Sequence, residues 1–284
     1  MSTTIAPVRA APAGLASDLR AIKIVCHREL LRWIAARDRI VAGLIQPLLW
    51  LFVLGSGLGR VVSAGAEGVN FKTFLFPGVL ATSVMFTAVF SGVSVVWDRE
   101  FGFLREMLVA PIRRSSIVLG KCLGGAIVAT AQGVIVLALA GLADVPYSPV
   151  LMIQLLGILF LVSYSITAFG LLLAARVKNM QSLMPLIQTA ITPMMFLSGA
   201  LYPVHGLPTW LLVITKINPM TYAVQPMRDV TFSHVDLPPR ATESLGGTVT
   251  WNGWPVPVGV QLVILFVLGT AVLAIAVARF SRTE

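Results

Sequence analysis

Apolar residues run through this chain in long stretches without charge. No Asp, Glu, Lys or Arg occurs within 40–59, 73–97, 122–143, 145–175, 179–215 or 244–278. A helix that crosses a bilayer needs roughly 20 apolar residues, so each window holds one span. The pattern predicts spans at about 40–59, 73–97, 122–143, 150–174, 182–201 and 258–278. The fifth contains Pro185 and Pro193, which remove backbone donors and predict a kink. Residues 207–217 are apolar but too short to cross, and Asn218-Pro219 breaks them, so they read as a re-entrant or interfacial segment. Residues 229–257 are polar, with Pro, Gly and two Trp, and predict a loop outside the cell.

The segment before the first span is different. Leu15, Leu19, Ile22, Cys26, Leu30 and Trp33 fall within an arc of roughly 80° on a helix, with Arg20, His27, Arg28 and Arg32 away from it. That pattern predicts an interfacial amphipathic helix over 15–38, apolar side toward the acyl chains. Residues 1–14 are rich in Ala and Pro and read as a disordered tail. They lack the apolar core of a signal peptide.

Composition agrees with the pattern. The chain of 284 residues is 57% hydrophobic and 12% charged, with a mean hydropathy of +0.87. Soluble domains are roughly a quarter charged. The fold class expected is therefore an all-α integral membrane protein with no sizeable soluble domain. The net charge of +9 is unevenly spread. With the N-terminus inside, the inner segments hold 16 Lys and Arg against 7 acids, and the outer segments hold 5 against 5. This bias places both termini in the cytoplasm. It also accounts for the high pI without nucleic acid.

Candidate chemistry is sparse. Cys26 and Cys122 have no CxxC spacing and no nearby His pair, so neither a disulfide nor a metal site is indicated. His27, His205 and His234 are isolated. The Gly120-Lys121 pair lacks the rest of a phosphate loop, with Ser115 and Cys122 in the wrong places. Gly120 and Gly124 form a GxxxG, a common motif of close helix contact. No ionisable residue lies near the middle of a span, which counts against an ion-driven carrier and against intramembrane catalysis. Ser83, Thr87, Gln132, Ser163, Ser165, Thr167, Gln188 and Thr192 are the interior polar groups, available to neighbouring helices or to a ligand.

The loop 97–121 reads WDREFGFLREMLVAPIRRSSIVLGK. Trp97, Phe101, Leu104 and Leu108 share one helical stripe, Arg99 and Glu106 point elsewhere, and Pro111 ends the helix. Such a helix suits either a groove on a soluble partner or a lipid seat.

This run resembles the loop between the second and third spans of type-2 ABC exporter permeases, which include daunorubicin-resistance and lipo-oligosaccharide export permeases. The run INPMTYAVQPMRD at 217–229 resembles the family's segment before the last span. The resemblance covers nearly the whole chain. It implies six transmembrane helices with an N-terminal interfacial helix, a cytoplasmic coupling helix and re-entrant extracellular helices before the last span. It makes 98–111 the coupling helix, with Arg99, Glu100, Phe101, Leu104, Arg105, Glu106, Leu108 and Pro111 as the residues facing an ATPase and Glu100 foremost. Trp210, Asn218, Pro219, Thr221 and Tyr222 fall in the extracellular re-entrant segment.

The same resemblance implies a bacterial inner-membrane permease without catalysis or cofactor of its own. ATP and magnesium would belong to a separate cytoplasmic ABC ATPase subunit, present in two copies. A second permease subunit, identical or related, would complete the pathway through membrane lipid. The expected cargo is an amphipathic drug or a lipid or glycolipid. The mostly aliphatic spans tilt away from sugars, although polysaccharide export stays open within the class. A secondary carrier is the main rival, followed by a membrane-bound enzyme and a scaffold.

Overall fold

The computed structural model describes residues 14–57, 59, 71–102, 113–177, 179–203, 208–235, 249–251 and 254–283. Among them, five helices are long and apolar enough to cross a membrane. These are α2 (Arg37–Gly57), α3 (Phe71–Glu100), α4 (Arg114–Leu137), α5 (Pro149–Ala174) and, labelled in chain order, α9 (Val258–Thr283), apolar as far as Phe280. Around them lie α1 (Leu15–Ala35), α6 (Met180–Phe196), α7 (Thr209–Ile217) and α8 (Thr221–Phe232). A two-residue hairpin, β1 (Thr250–Trp251) with β2 (Trp254–Pro255), pairs Trp251 with Trp254 before α9. The sequence pattern showed only a loop there.

α3 is the central element, packed on α4 and α5, with α9 on the far side of α5 and α1 on α4. Lipid tails are as apolar as Leu, so these helices gain by close packing rather than by burial alone. Gly92 and Gly170 show how. A Cβ on Gly92 would lie 2.6 Å from the Thr167 carbonyl oxygen, and one on Gly170 2.7 Å from that of Val89. Backbone therefore touches backbone where α3 crosses α5. The Ser165 hydroxyl adds a 3.0 Å hydrogen bond to the Leu265 carbonyl, joining α5 to α9.

Several helix ends differ from the sequence pattern. α4 starts eight residues before the expected span, which puts Lys121 inside the helix. α2 passes through a π-helical turn at Trp50–Leu54. α6 is one continuous helix containing both Pro185 and Pro193, and its 17 residues sit at the short limit for a crossing. Only its stripe of Leu183, Ile187, Ile191 and Met195 is buried, so both prolines face outward. Gly199, at φ 74°, turns the chain three residues past the end of α6.

α1 meets the bundle through a face other than its apolar stripe. Leu15 is 81% exposed, and the buried face carries Asp18, Ala21, Val25 and Glu29. That face lies on α4 and runs in the same direction, from Asp18 beside Arg113 to Glu29 beside Gly124. The GxxxG makes this possible. A Cβ on Gly120 would meet the Val25 Cβ at 2.9 Å, and one on Gly124 the Cys26 Cα at 3.1 Å.

Two ends of the bundle follow from these contacts. The α1 end holds the last turn of α3, the first of α4, the α5–α6 connection and the end of α9. The hairpin end holds α7, α8 and the strands.

Candidate functional site

A cavity of about 670 Å³ opens between the α1–α2 junction, α3 and α4. α3 supplies one wall because its residues recur at helical spacing. Ser83, Thr87, Ser91 and Ser94 form a hydroxyl stripe that ends at Asp98, and Phe86, Phe90 and Trp97 run beside it. Trp33 and Trp50 close the opposite side, with Gln46 from α2 and Gln132 from α4. The Thr87 and Ser94 hydroxyls donate to carbonyls of their own helix, whereas the buried Ser83 Oγ has no protein partner. The arrangement can hold an amphipathic molecule, with aromatic faces for its apolar body and a few hydroxyls and amides to orient it. The expectation of an aliphatic interior is thus incomplete: three Trp, drawn from three different helices, face one cavity.

Charge gathers at the α1 end of this cavity. Glu29, Arg32, Arg39 and Asp98 line it, and the Arg39 guanidinium lies 5.3 Å from the Trp97 ring centre. Asp98 accepts from Arg28 and from Arg32, each at 2.8 Å. Lys121, fully buried, donates to Glu29 at 2.6 Å and forms an ion pair with Asp98. Burial, and then the nearby Glu29 carboxylate, push the Cys26 thiol up, and its Sγ donates to the Gly120 carbonyl at 3.2 Å. The sequence pattern missed this cluster because each charge read as a boundary or orientation residue. Glu29, at helical spacing from Ala21 and Val25 on one face of α1, was the available signal.

The predicted coupling residues are partly placed. The Arg99 Nη1 donates to the Val177 carbonyl at 3.0 Å, and its guanidinium lies 5.5 Å from the Phe280 ring centre. Glu100 accepts from the Met180 amide at 2.8 Å, at the first turn of α6, which Asn179 caps by accepting from the Ser182 amide at 3.0 Å. Both side chains thus tie the end of α3 to the α5–α6 connection. Phe101 is 74% exposed. Leu104, Arg105, Glu106, Leu108 and Pro111 lie outside the described residues, as does 1–13 of the expected tail.

At the hairpin end, the Asn218 side chain donates to the Met194 carbonyl at 2.8 Å and accepts from the Met220 amide at 3.0 Å. Pro219, next in the chain, lies in the turn between α7 and α8. Thr221 and Tyr222 donate to the carbonyls of Thr215 and Lys216, each at 2.7 Å. These bonds fold α8 back on α7, and α8 then packs on α3, α5 and α9. Trp210 is 66% exposed. The sequence pattern passed over Arg228, which is 1% exposed, donates to the Gly199 carbonyl at 2.8 Å and stands 4.2 Å from the Phe74 ring centre. Burial lowers its pKa to about 10 and raises that of the adjacent Asp229 to about 6, with Arg228 opposing the rise.

Fold and site together define a multi-span helical membrane protein with an internal chamber and a charged junction beside it. The family model described as ABC-2 type transporter matches residues 20–232, so the chain belongs to the ABC-2 permeases, the membrane components of ABC transporters. Transport permease ycf38 of Cyanophora paradoxa is 31% identical over 199 residues, covering 69% of this chain and 68% of the relative. Nodulation protein J of Rhizobium leguminosarum bv. trifolii is 29% identical, covering 74% and 80%. The multidrug ABC permease YbhR of Escherichia coli (strain K12) is 28% identical, covering 75% of this chain and 54% of the relative. Membership implies an ABC ATPase subunit as partner.

Proposed function

We propose that this chain is the permease of an ATP-driven exporter that moves an amphipathic drug, lipid or glycolipid out of the bacterial cytoplasm across the inner membrane. One observation carries the reading. The aromatic and hydroxyl-lined cavity ends at Asp98 and Phe101, where the charged loop leaves α3, so chamber and loop share a helix. In this reading the α1 end is cytoplasmic and the loop meets the ATPase, which holds ATP and magnesium. Two ATPase copies and a second permease, identical or related, complete the assembly. α6 is the sixth crossing, with α7 and α8 as a re-entrant cap on the extracellular side. The basic bias toward the α1 end supports that orientation. The three aromatic side chains of the chamber wall on α3, Phe86, Phe90 and Trp97, fit flat apolar rings or sugar faces equally, so glycolipid stands beside drug.

The reading is tested by co-expressing the chain with an ABC ATPase and reconstituting the complex in liposomes. A fluorescent amphipathic dye and a fluorescent short-chain glycolipid serve as probes. Accumulation of either probe that requires ATP, and survives an uncoupler, is the expected result. Accumulation without ATP that an uncoupler abolishes would establish the secondary carrier instead.

A further inference from the structure

The ion pairs at the α1 end join α1 to both flanks of the loop. On the outgoing flank, Asp98 is held by Arg28 and Arg32 of α1 and by Lys121 of α4. On the returning flank, Arg113 pairs with Asp18 of α1 at 3.5 Å. Lys121 also reaches Glu29 at 2.6 Å and the Ser94 hydroxyl at 3.1 Å, so a single ammonium bridges α1, α3 and α4. Glycines at 120 and 124 bring the α1 backbone against α4 on either side of that lysine. The same helix then reaches the chamber, where Glu29, Arg32, Trp33 and Ala36 line the wall.

A buried ion-pair network is weak evidence for stability, since well-packed apolar residues serve as well. Geometry gives this one a different use. The loop enters and leaves beside α1, and α1 forms part of the chamber wall. We propose that Lys121 is a positioning residue for coupling: beside the Arg28 and Arg32 pairs with Asp98, its buried bonds to Asp98 and Glu29 complete the lock of α1 and α4 on the end of α3, so that movement of the loop displaces the chamber wall at Trp33 and Ala36. The inference rests on the exporter reading above. It goes beyond it by assigning α1, rather than the loop and spans alone, as the part that moves the chamber. Lys121 touches no cargo, and its role is carried by its two carboxylates.

The experiment reads the wall directly. Ala36→Cys is introduced with Cys26→Ser and Cys122→Ala, and the permease–ATPase complex is reconstituted in liposomes. Labelling by N-ethylmaleimide is timed without nucleotide and in the ATP–vanadate trapped state, alongside basal ATP hydrolysis. With Lys121 intact, trapping changes the labelling rate by about fivefold or more, the lower range of coupling between distinct sites. Lys121→Met and Glu29→Gln each remove that dependence, Lys121→Arg keeps it, and basal hydrolysis with Lys121→Met stays within about twofold. Glu29→Gln preserves shape and carries the test where Lys121→Met fails to assemble. The Lys121→Met, Glu29→Gln double variant is no worse than either single, as one shared link requires. A trapping response that persists in Lys121→Met or Glu29→Gln overturns the inference and leaves the exporter reading standing. A parent complex that neither hydrolyses ATP nor responds to trapping overturns both.

Discussion

Gly92→Ala adds one methyl group at the crossing of α3 and α5, and the surroundings decide its cost. The new Cβ would sit 2.6 Å from the Thr167 oxygen and 2.8 Å from the Leu171 nitrogen. An ordinary carbon–oxygen contact is about 3.3–3.6 Å. Both neighbours are backbone of a helix that cannot bend locally, so the helices must part by roughly 0.7–1 Å. A gap of that size forfeits about a quarter to a half of each contact across it. Overpacking of this kind costs about 1–3 kcal/mol. Alanine returns up to about 1 kcal/mol through its better helix propensity. The upper part of the range applies because backbone blocks relaxation, leaving a net loss of roughly 2 kcal/mol.

The control lies on α5, the partner helix at this crossing. A Cβ on Gly157 meets nothing within 4 Å, so Gly157→Ala keeps the propensity gain without the clash. In a thermal unfolding series on detergent-solubilised protein, Gly92→Ala lowers Tm by about 4–8 °C. Gly157→Ala leaves it unchanged or slightly higher. Gly170→Ala enters the same gap, where its Cβ would lie 2.7 Å from the Val89 oxygen. The double variant with Gly92→Ala therefore loses less than the sum of the singles. A Gly92→Ala protein that melts at or above the Gly157→Ala protein would refute close backbone contact at this crossing. The same parting would displace the Ser83–Asp98 wall of the chamber, so transport should fall with stability in this variant.

Asp229 carries a pH dependence whose sign is set by its pKa of about 6, raised from 3.8. The folded state binds the proton more tightly, so stability is greatest below about pH 4 and declines through pH 6, by roughly 2–3 kcal/mol at most. Melting curves between pH 4.5 and 7.5 should show that decline, and Asp229→Asn should flatten it; an equal slope in both proteins would remove Asp229 as its source. Arg228→Leu strands the Gly199 carbonyl and takes away the charge that opposes the rise at Asp229. It should destabilise by about 2–4 kcal/mol, more than Arg228→Lys does, and a silent Arg228→Leu would count against the buried contact. Glu100→Ala removes the acceptor of the first α6 amide, at about 1 kcal/mol, and leaves the Asn179 cap in place, while Glu100→Gln keeps an acceptor for the Met180 amide. Probe transport per ATP should fall in Glu100→Ala with the protein still assembled, and undiminished transport there would show that Glu100 only holds the Met180 amide.

The interiors of the helices were legible because an apolar, charge-free run has few other places to go. The ends were harder, for identifiable reasons. Lys121 looks like the boundary of a span, yet Glu29 and Asp98 compensate its charge and let α4 begin at Arg114. Leu15 and Leu19, on the stripe read as the lipid side of α1, are exposed, and a second face that the apolar pattern did not mark, with small Ala21 and Val25, packs on the glycines of α4. Arg99 and Glu100 were found as a charged pair at a junction. Their partners, Val177 and Met180, are backbone groups about 80 residues away, which no local pattern announces. The chamber was hidden for the same reason: its hydroxyl stripe reads along α3, but Trp33, Trp50 and Gln132 come from three other helices.

The basic residues at the α1 end serve two purposes at once. Counted as orientation signals, they explain the charge bias and invite no further question. Yet Arg28, Arg32, Arg113 and Lys121 are engaged with Asp18, Glu29 and Asp98. An orienting charge needs only to remain on its side of the bilayer, and it does that best in water. Lys121 is withdrawn from water altogether, a placement that orientation does not require and that desolvation opposes. Its three partners on two other helices are what offset that cost. A charge placed where it costs most and bonds most is specified by geometry, and the geometry here joins the loop, α1 and the chamber wall.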